Sequence, residues 1–392
     1  MNTTSKKGYK FTEEFGYIPN DWEVEKIRDI AQIYGRIGFR GYTKNDIVAK
    51  GYGAISLSPT NIKENGLFYD DNTYISWYKY EESPEIKINN GDILLVKTGS
   101  SYGKSSIVEH LPQEATINPQ LIVFKNLKIN NKFFAHILKT KEFIKQIEKV
   151  VVGGAIPTLS QEQIYNFNTI YPPLHEQHRI AEVLSDVDSL IDKTLGLINK
   201  KKDLKTATMQ KLLAPKPNWE TKALGEITPN IYQPQTISQN MLTESGYPVF
   251  GANGIIGYYS KFNHEKPQIA ITCRGNTCGT VNLTLPFSWI TGNAMVVNID
   301  NVEFNKFFLF CLLQYKDLSN LITGSGQPQI IRSSLTEFKI SYPNISEQNK
   351  IAEILLDMDD EIMSLEKEAV KFKSIKTALM QELLSGKIRL KG

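Results

Sequence analysis

The 392 residues carry 45 Lys and Arg against 42 Asp and Glu, a formal net charge of +3, so any nucleic-acid contact has to come from local clustering of charge. With 41% hydrophobic and 22% charged residues the chain can fill packed cores in roughly two or three domains and does not have the composition of a disordered protein. Three Cys (273, 278 and 311) make no disulfide framework, Met1–Lys10 has no signal-peptide apolar stretch, and no run approaches the ~18–20 apolar residues of a membrane span, so the expectation is a soluble cytoplasmic protein with no membrane partner.

In chain order, residues 1–170 read as a first mixed domain. Tyr34-Gly-Arg36-Ile-Gly-Phe-Arg40-Gly-Tyr42-Thr-Lys44 combines basic, aromatic and flexible residues in one stretch. Ile93–Val96 and Leu121–Phe124 are β-prone runs between Gly- and Asn-rich turns, and Lys132–Lys149 reads as helical. Between the two strands lies Gly99-Ser-Ser-Tyr-Gly103-Lys104-Ser105, which superficially resembles a phosphate-binding loop. It has three residues between its glycines where that loop needs four.

Residues 171–214 form the first of two long helical segments. From 177 to 213 there is no Pro and one Gly, and apolar residues recur every seven: Val183, Leu190, Leu197 and Leu204, with Leu184, Ile191 and Ile198 in a second file. Such a repeat predicts coiled-coil packing, and 37 residues would make a rod of ~55 Å. Pro172-Pro173 marks the start and Ala214-Pro215 the stop. His175 and His178 look like a metal pair, but they are three apart where two ligands on one helical face want four.

Residues 215–341 read as a second mixed domain, with strands at Gln268–Thr272 and Ala294–Val297, a helical piece at Lys306–Ile322 and a hairpin-turn signal at Asn253-Gly254. Residues 342–392 are the second helical segment. Ile351, Met358, Leu365, Phe372 and Leu379 run every seven residues beside Leu355, Ile362 and Ala369, and Ser346 stands as the cap candidate after Pro343.

The second half repeats the first. Trp22-Glu23 recurs as Trp219-Glu220 and Asn131-Lys-Phe-Phe134 as Asn305-Lys-Phe-Phe308. Glu176-Gln177, Ile180-Ala181-Glu182, Asp188 and Lys205-Thr206-Ala207 return 171 residues later as Glu347-Gln348, Ile351-Ala352-Glu353, Asp359 and Lys376-Thr377-Ala378. A tandem duplication with divergent middles predicts two α+β domains related by a pseudo-two-fold axis, separated by two long antiparallel helices forming a coiled coil.

The duplication also acts as an internal control. Gly275-Asn-Thr-Cys-Gly279 keeps the glycine spacing of the Gly99 loop without its Lys, so the shared feature is a turn after a strand; His175 and His178 correspond to Ser346 and Asn349. Cys273 and Cys278 have no further soft ligands nearby, and no nuclease, methyltransferase or Ser/His/Asp constellation stands out, so neither catalytic site, cofactor nor metal is expected. Base edges are read by Arg, Lys, Asn and Gln. The candidates are Arg36, Arg40, Tyr42, Lys44 and Lys104 in the first half. In the second they are Gln233, Gln235, Asn253, Arg274, Asn276, Asn293, Gln329 and Arg332. Lys200–Lys202, Lys205 and Lys211 form a basic helix end, either a solvated face or a phosphate contact.

Two variable domains, each followed by Tyr-Pro-x-x-x-Glu-Gln-x-x-Ile-Ala-Glu and then Lys-Thr-Ala-x-Met-Gln-x-Leu-Leu, resemble the specificity subunit of type I restriction–modification systems over the whole chain. The resemblance implies that each domain is a target recognition domain reading one half of a split double-stranded DNA site. It implies helices that set the spacer and dock two methyltransferase subunits, with restriction (translocating) subunits added in the full complex. It also implies that the chain itself performs no chemistry. A coiled-coil scaffold that never touches DNA, and a nucleotide-using enzyme at the Gly99 loop, are the readings that remain beside it.

Overall fold

Ile93-Leu-Leu-Val96 is apolar at four consecutive positions, so as a strand it must be covered on both faces. The computed structural model, which describes residues 7–63, 66–150, 158–252, 254–324 and 326–391, places this strand second in a sheet of order Ser105–Ile107, Ile93–Val96, Leu121–Lys125, Gln32–Gly35, antiparallel throughout. Ile93 and Leu95 point into a core shared with helices, among them Asn131–Ile137 and Lys141–Val150. Leu94 and Val96 point the other way, into a core shared with a second sheet of order Ala115–Ile117, Gly53–Leu57, Thr73–Ser76, Ile47–Val48. There Ala115–Ile117 runs parallel to Gly53–Leu57. Lys132–Lys149 is thus two helices and not one: the Thr140 hydroxyl donates to Ile137 O (2.7 Å) and accepts from Phe143 N (3.3 Å), ending one helix and capping the next.

The chain divides into two compact units, Met1–Leu195 with Lys367–Gly392, and Gly196–Glu366. The second unit is built on the same plan. Its four-stranded sheet runs Ile231–Tyr232, Ala294–Val297, Ile269–Thr272, Val281–Leu283. A three-stranded sheet follows, Gly254–Tyr259, Tyr247–Gly251, Trp289–Ile290, again with one parallel pair. Ile269 and Ile271 face the helical core while Ala270 and Val296 face the other sheet. Lys306–Ile322 is helical only over Lys306–Tyr315, with a short 3-10 turn at Ser319–Leu321. Each unit also pairs an early strand with the one that leads into a long helix: Glu23–Lys26 with Asn168–Tyr171, and Glu220–Ala223 with Lys339–Tyr342.

The two long helices span Leu174–Leu212 and Ile345–Leu383, 39 residues each. In the first unit the start of one lies against the end of the other, with Ile180, Ala181 and Leu184 in the same core as Leu383. The ion pair Asp188–Lys376 (2.5 Å) fixes the antiparallel register there. In the second unit Leu213 joins Ile351, Ala352 and Leu355, and Lys205–Asp359 (2.5 Å) is the same contact formed by the duplicated residues. Leu184, Ile191 and Ile198 are the buried file of the first helix. Leu190, Leu197 and Leu204 are 41–53% exposed, so the seam uses one of the two predicted files. The second helix is capped by Asn344, whose side chain accepts from Glu347 N (3.0 Å), and Ser346 lies inside the helix instead.

The Gln of the shared Glu-Gln motif performs the same structural task in each unit. Gln177 is buried, accepts from Asn130 N (2.8 Å) and donates to Pro172 O (2.8 Å). Gln348 repeats this with Asn305 N (3.0 Å) and Pro343 O (2.9 Å). Glu176, fully buried, is held by Arg389 (2.7 and 2.8 Å) and by Leu390 N (3.1 Å). Arg389 also binds Asp21, whose carboxyl it holds far below the usual range, and Gly386 (φ 71°) leaves no room for a Cβ beside Pro19.

Candidate nucleic-acid interface

In the second unit, strand Ile269–Thr272 runs into the turn Gly275–Gly279, closed by Cys278 N donating to Gly275 O (3.0 Å). Both glycines have φ near 90°, a conformation that other residues adopt at a cost. Three segments are hydrogen-bonded around the strand end. Cys273 N donates to Asn293 O (2.9 Å), Ile330 N to Cys273 O (3.0 Å), and Gly275 N to Pro328 O (3.1 Å). Arg274 and Gln329 form an isolated β-bridge, and Gln233 donates through its side chain to Gly292 O. Gln233, Arg274, Asn276, Asn293 and Gln329 are therefore gathered on one frame, and all five are exposed. Gln235 is exposed beside it, its carbonyl accepting from the Trp289 indole (3.2 Å). Arg332, also exposed, donates to Pro229 O (3.5 Å), and no hydrogen bond of its side chain among the described residues joins it to the frame. Asn253 lies outside the described residues; the strands flanking it form the antiparallel hairpin its sequence predicts.

The first unit builds the same frame from different side chains. Lys97 N donates to Gln120 O (2.9 Å), Leu159 N to Lys97 O (2.8 Å), and Thr98 bridges Thr158. Gly103 N donates to Val96 O (2.9 Å) as Gly279 N does to Thr272 O (2.8 Å). By this wiring Lys97, Thr98, Gln120 and Thr158 stand where Cys273, Arg274, Asn293 and Gln329 stand in the other unit. Sequence reasoning missed Lys97 and Gln120. Their signal was present, since both flank turns in the first half, but loop-length changes keep any single offset from aligning them with Cys273 and Asn293.

Among the candidates of the first unit, Lys44 and Lys104 are exposed. Arg40 lies 3.6 Å from the Glu85 carboxylate, and Tyr42 accepts from the Ser56 hydroxyl (2.9 Å). Arg36 is 4% exposed and faces inward: its guanidinium donates to Ile117 O (3.0 Å), Thr116 Oγ1 (3.1 Å) and Arg40 O (3.3 Å). Burial pulls its pKa down. Its place is that of a pin holding the 36–46 loop against the strand that leads into Asn118–Gln120.

His175 and His178 are exposed at the helix start, with His178 beside the Asn130 amide (3.2 Å). All three cysteines are free, and burial raises their thiols, Cys311 to about 12. Among the described residues no group of three or more His, Cys, Asp or Glu could hold a metal, and no helix is long and apolar enough to cross a membrane.

The sequence profile of the family described as "Type I restriction modification DNA specificity domain" matches residues 19–202 and again 216–371. The MjaVIII type I restriction enzyme specificity subunit of Methanocaldococcus jannaschii is 27% identical, over 98% of this chain and 97% of that protein. The EcoprrI specificity subunit of Escherichia coli is 32% identical over 35% of each chain. In fold, the chain is similar to the crystal structure of a type I restriction–modification S subunit from M. genitalium, with a TM-score of 0.64, 19% identity, and 95% and 97% of the two chains covered. A frame built twice, carried by two long helices and spanned twice by one profile, makes this chain a member of the type I restriction–modification DNA specificity family.

Proposed function

We propose that this chain is the sequence-reading subunit of a type I restriction–modification complex, with residues 1–170 and 215–341 as target recognition domains, each reading one half of a bipartite double-stranded DNA site. The observation that carries the reading is the frame described above: one backbone arrangement, made twice, with different donors and acceptors each time, Gln120 and Thr158 exposed in the first unit and Arg274, Asn293 and Gln329 in the second. A shared scaffold with exchanged side chains is what two different half-sites require, because base edges are told apart by donor and acceptor pattern. The exposed lysines Lys44 and Lys104 supply phosphate contacts that set register without reading sequence.

The helices of 171–214 and 342–392 act as spacer and dock. The first leaves Leu190, Leu197 and Leu204 exposed at seven-residue intervals, and the second leaves Leu356, Met363 and Val370 exposed in the same way. Two methyltransferase subunits packing their own helices on these stripes would bury them, and restriction subunits would join through that core complex. The chain holds no chemistry of its own in this reading. Its partners methylate and cut.

Exchanging residues 215–341 for the equivalent segment of another family member tests the assignment, read out by methylation-sensitive sequencing of a host carrying the complex. One half of the modified site should change and the other should not. Change in both halves, or in neither, rejects it.

A further inference from the structure

The second unit presents two adjacent isoleucines to water at the edge of its polar frame. Strand Gly254–Tyr259 pairs with Tyr247–Gly251, but the register shifts between Val249 and Phe250: Val249 faces Gly257, and Phe250 faces Ile255. Ile256 is the extra residue of a β-bulge. Alternation would send Ile255 and Ile256 to opposite faces of a regular strand; here Ile256 is the bulged residue, and both are 46% exposed. The hairpin end is tied to the reading frame, because Ala252 O accepts from the hydroxyls of Thr272 (2.6 Å) and Thr277 (3.3 Å), the second within the Gly275–Gly279 turn.

Two branched aliphatic side chains on a hairpin hydrogen-bonded to the segment that carries exposed Arg274 and Asn276 have one counterpart on a base edge. The thymine C5-methyl is the apolar group of the major groove, and it lies next to the acceptors and donors that Arg and Asn read. From the bulge, the exposure and the tie to the frame, we infer that Ile255, supported by Ile256, reads a thymine methyl in the half-site of the second domain. The inference rests on the proposed DNA-reading function and names what one part of that surface selects. The occupant is DNA because the apolar tip stands on a hairpin hydrogen-bonded to the segment that carries exposed Arg274 and Asn276, whose side chains suit base edges.

The test uses the full chain co-expressed with its methyltransferase partner and synthetic duplexes of the site found by methylation sequencing. Each thymine of the second half-site is replaced in turn by uracil, which differs only in lacking the methyl. Wild type should lose about fourfold in affinity at one thymine, the size of burying a single methyl group. Ile255→Ala should bind thymine and uracil equally at that position, while Ile255→Val should keep part of the difference. Ile255 is exposed, so its truncation leaves the hairpin pairing in place, and circular dichroism checks this. A half-site without thymine, no uracil penalty at any position, or an undiminished penalty in Ile255→Ala overturns the inference while specific binding persists. Loss of uracil sensitivity from the outset, with a hydrodynamic size that falls on Ile255→Ala, assigns the tip to a second copy of the chain and also overturns it. Absence of any sequence-specific duplex binding rejects the DNA-reading function itself.

Discussion

His136 shows how a single residue can mark the two units as unequal. It sits in the helix Asn131–Ile137 at 6% exposure, and burial, aided by nearby Lys139, Lys376 and Lys132, pushes its pKa down to about 3. The duplicated position is Phe310. The unfolded chain takes up this proton near pH 6.5, but the folded chain does so only near pH 3. The unfolded state therefore binds more protons across that window, and stability falls as pH drops through it, by roughly 1.4 kcal/mol per pH unit from this group. His136→Phe should flatten that part of the curve, measured by denaturation at pH 7 and pH 5. An unchanged slope would show that His136 protonates as freely in the folded chain as outside it. Arg36 gives the opposite lesson at the same scale. Its loop composition reads as a base-reading surface, yet the guanidinium is spent on Ile117, Thr116 and Arg40. Sequence shows which groups a loop has. It does not show which way they face.

At the scale of elements, the long helices were the most legible part, because an apolar stripe kept in step over five heptads can be buried only along another helix. Which file is buried was less so, since two apolar files run side by side and only packing chooses Leu184, Ile191 and Ile198 over Leu190, Leu197 and Leu204. The strands Ile93–Val96, Leu121–Lys125 and Ala294–Val297 were legible as apolar runs, whereas their order in a sheet depends on long-range pairing that no local pattern records. The seam can be apportioned experimentally. Asp188–Lys376 is partly exposed, 36% and 18%, so a double-mutant cycle with Asp188→Asn and Lys376→Met should give a coupling of no more than about 1 kcal/mol. Ile191→Ala, which empties a buried position, should cost about 2–4 kcal/mol. A coupling larger than the isoleucine effect would mean that charge, and not packing, holds the helices together.

For the whole molecule, the proposed ruler function makes a metric demand. Four residues inserted between Gly196 and Lys200 would lengthen the first helix by about 6 Å and turn it slightly past one full turn, so its buried file stays nearly in phase. At ~3.4 Å per base pair, the nonspecific spacer of the target should grow by about one or two base pairs with both half-sites unchanged. Sequencing of methylated sites reads both outcomes, and an active variant with the original spacer would remove the helices from that role. The divided composition of the first unit has a further consequence, in the order of synthesis. Gly196–Glu366 is continuous in the chain, but the first unit needs Lys367–Gly392 to finish its core and to cover Glu176 with Arg389. Domains ordinarily complete themselves N-terminal first as they leave the ribosome. Here the second unit is whole while the first still waits, with a bare carboxylate and an open helix face, for residues 367–392 to be translated.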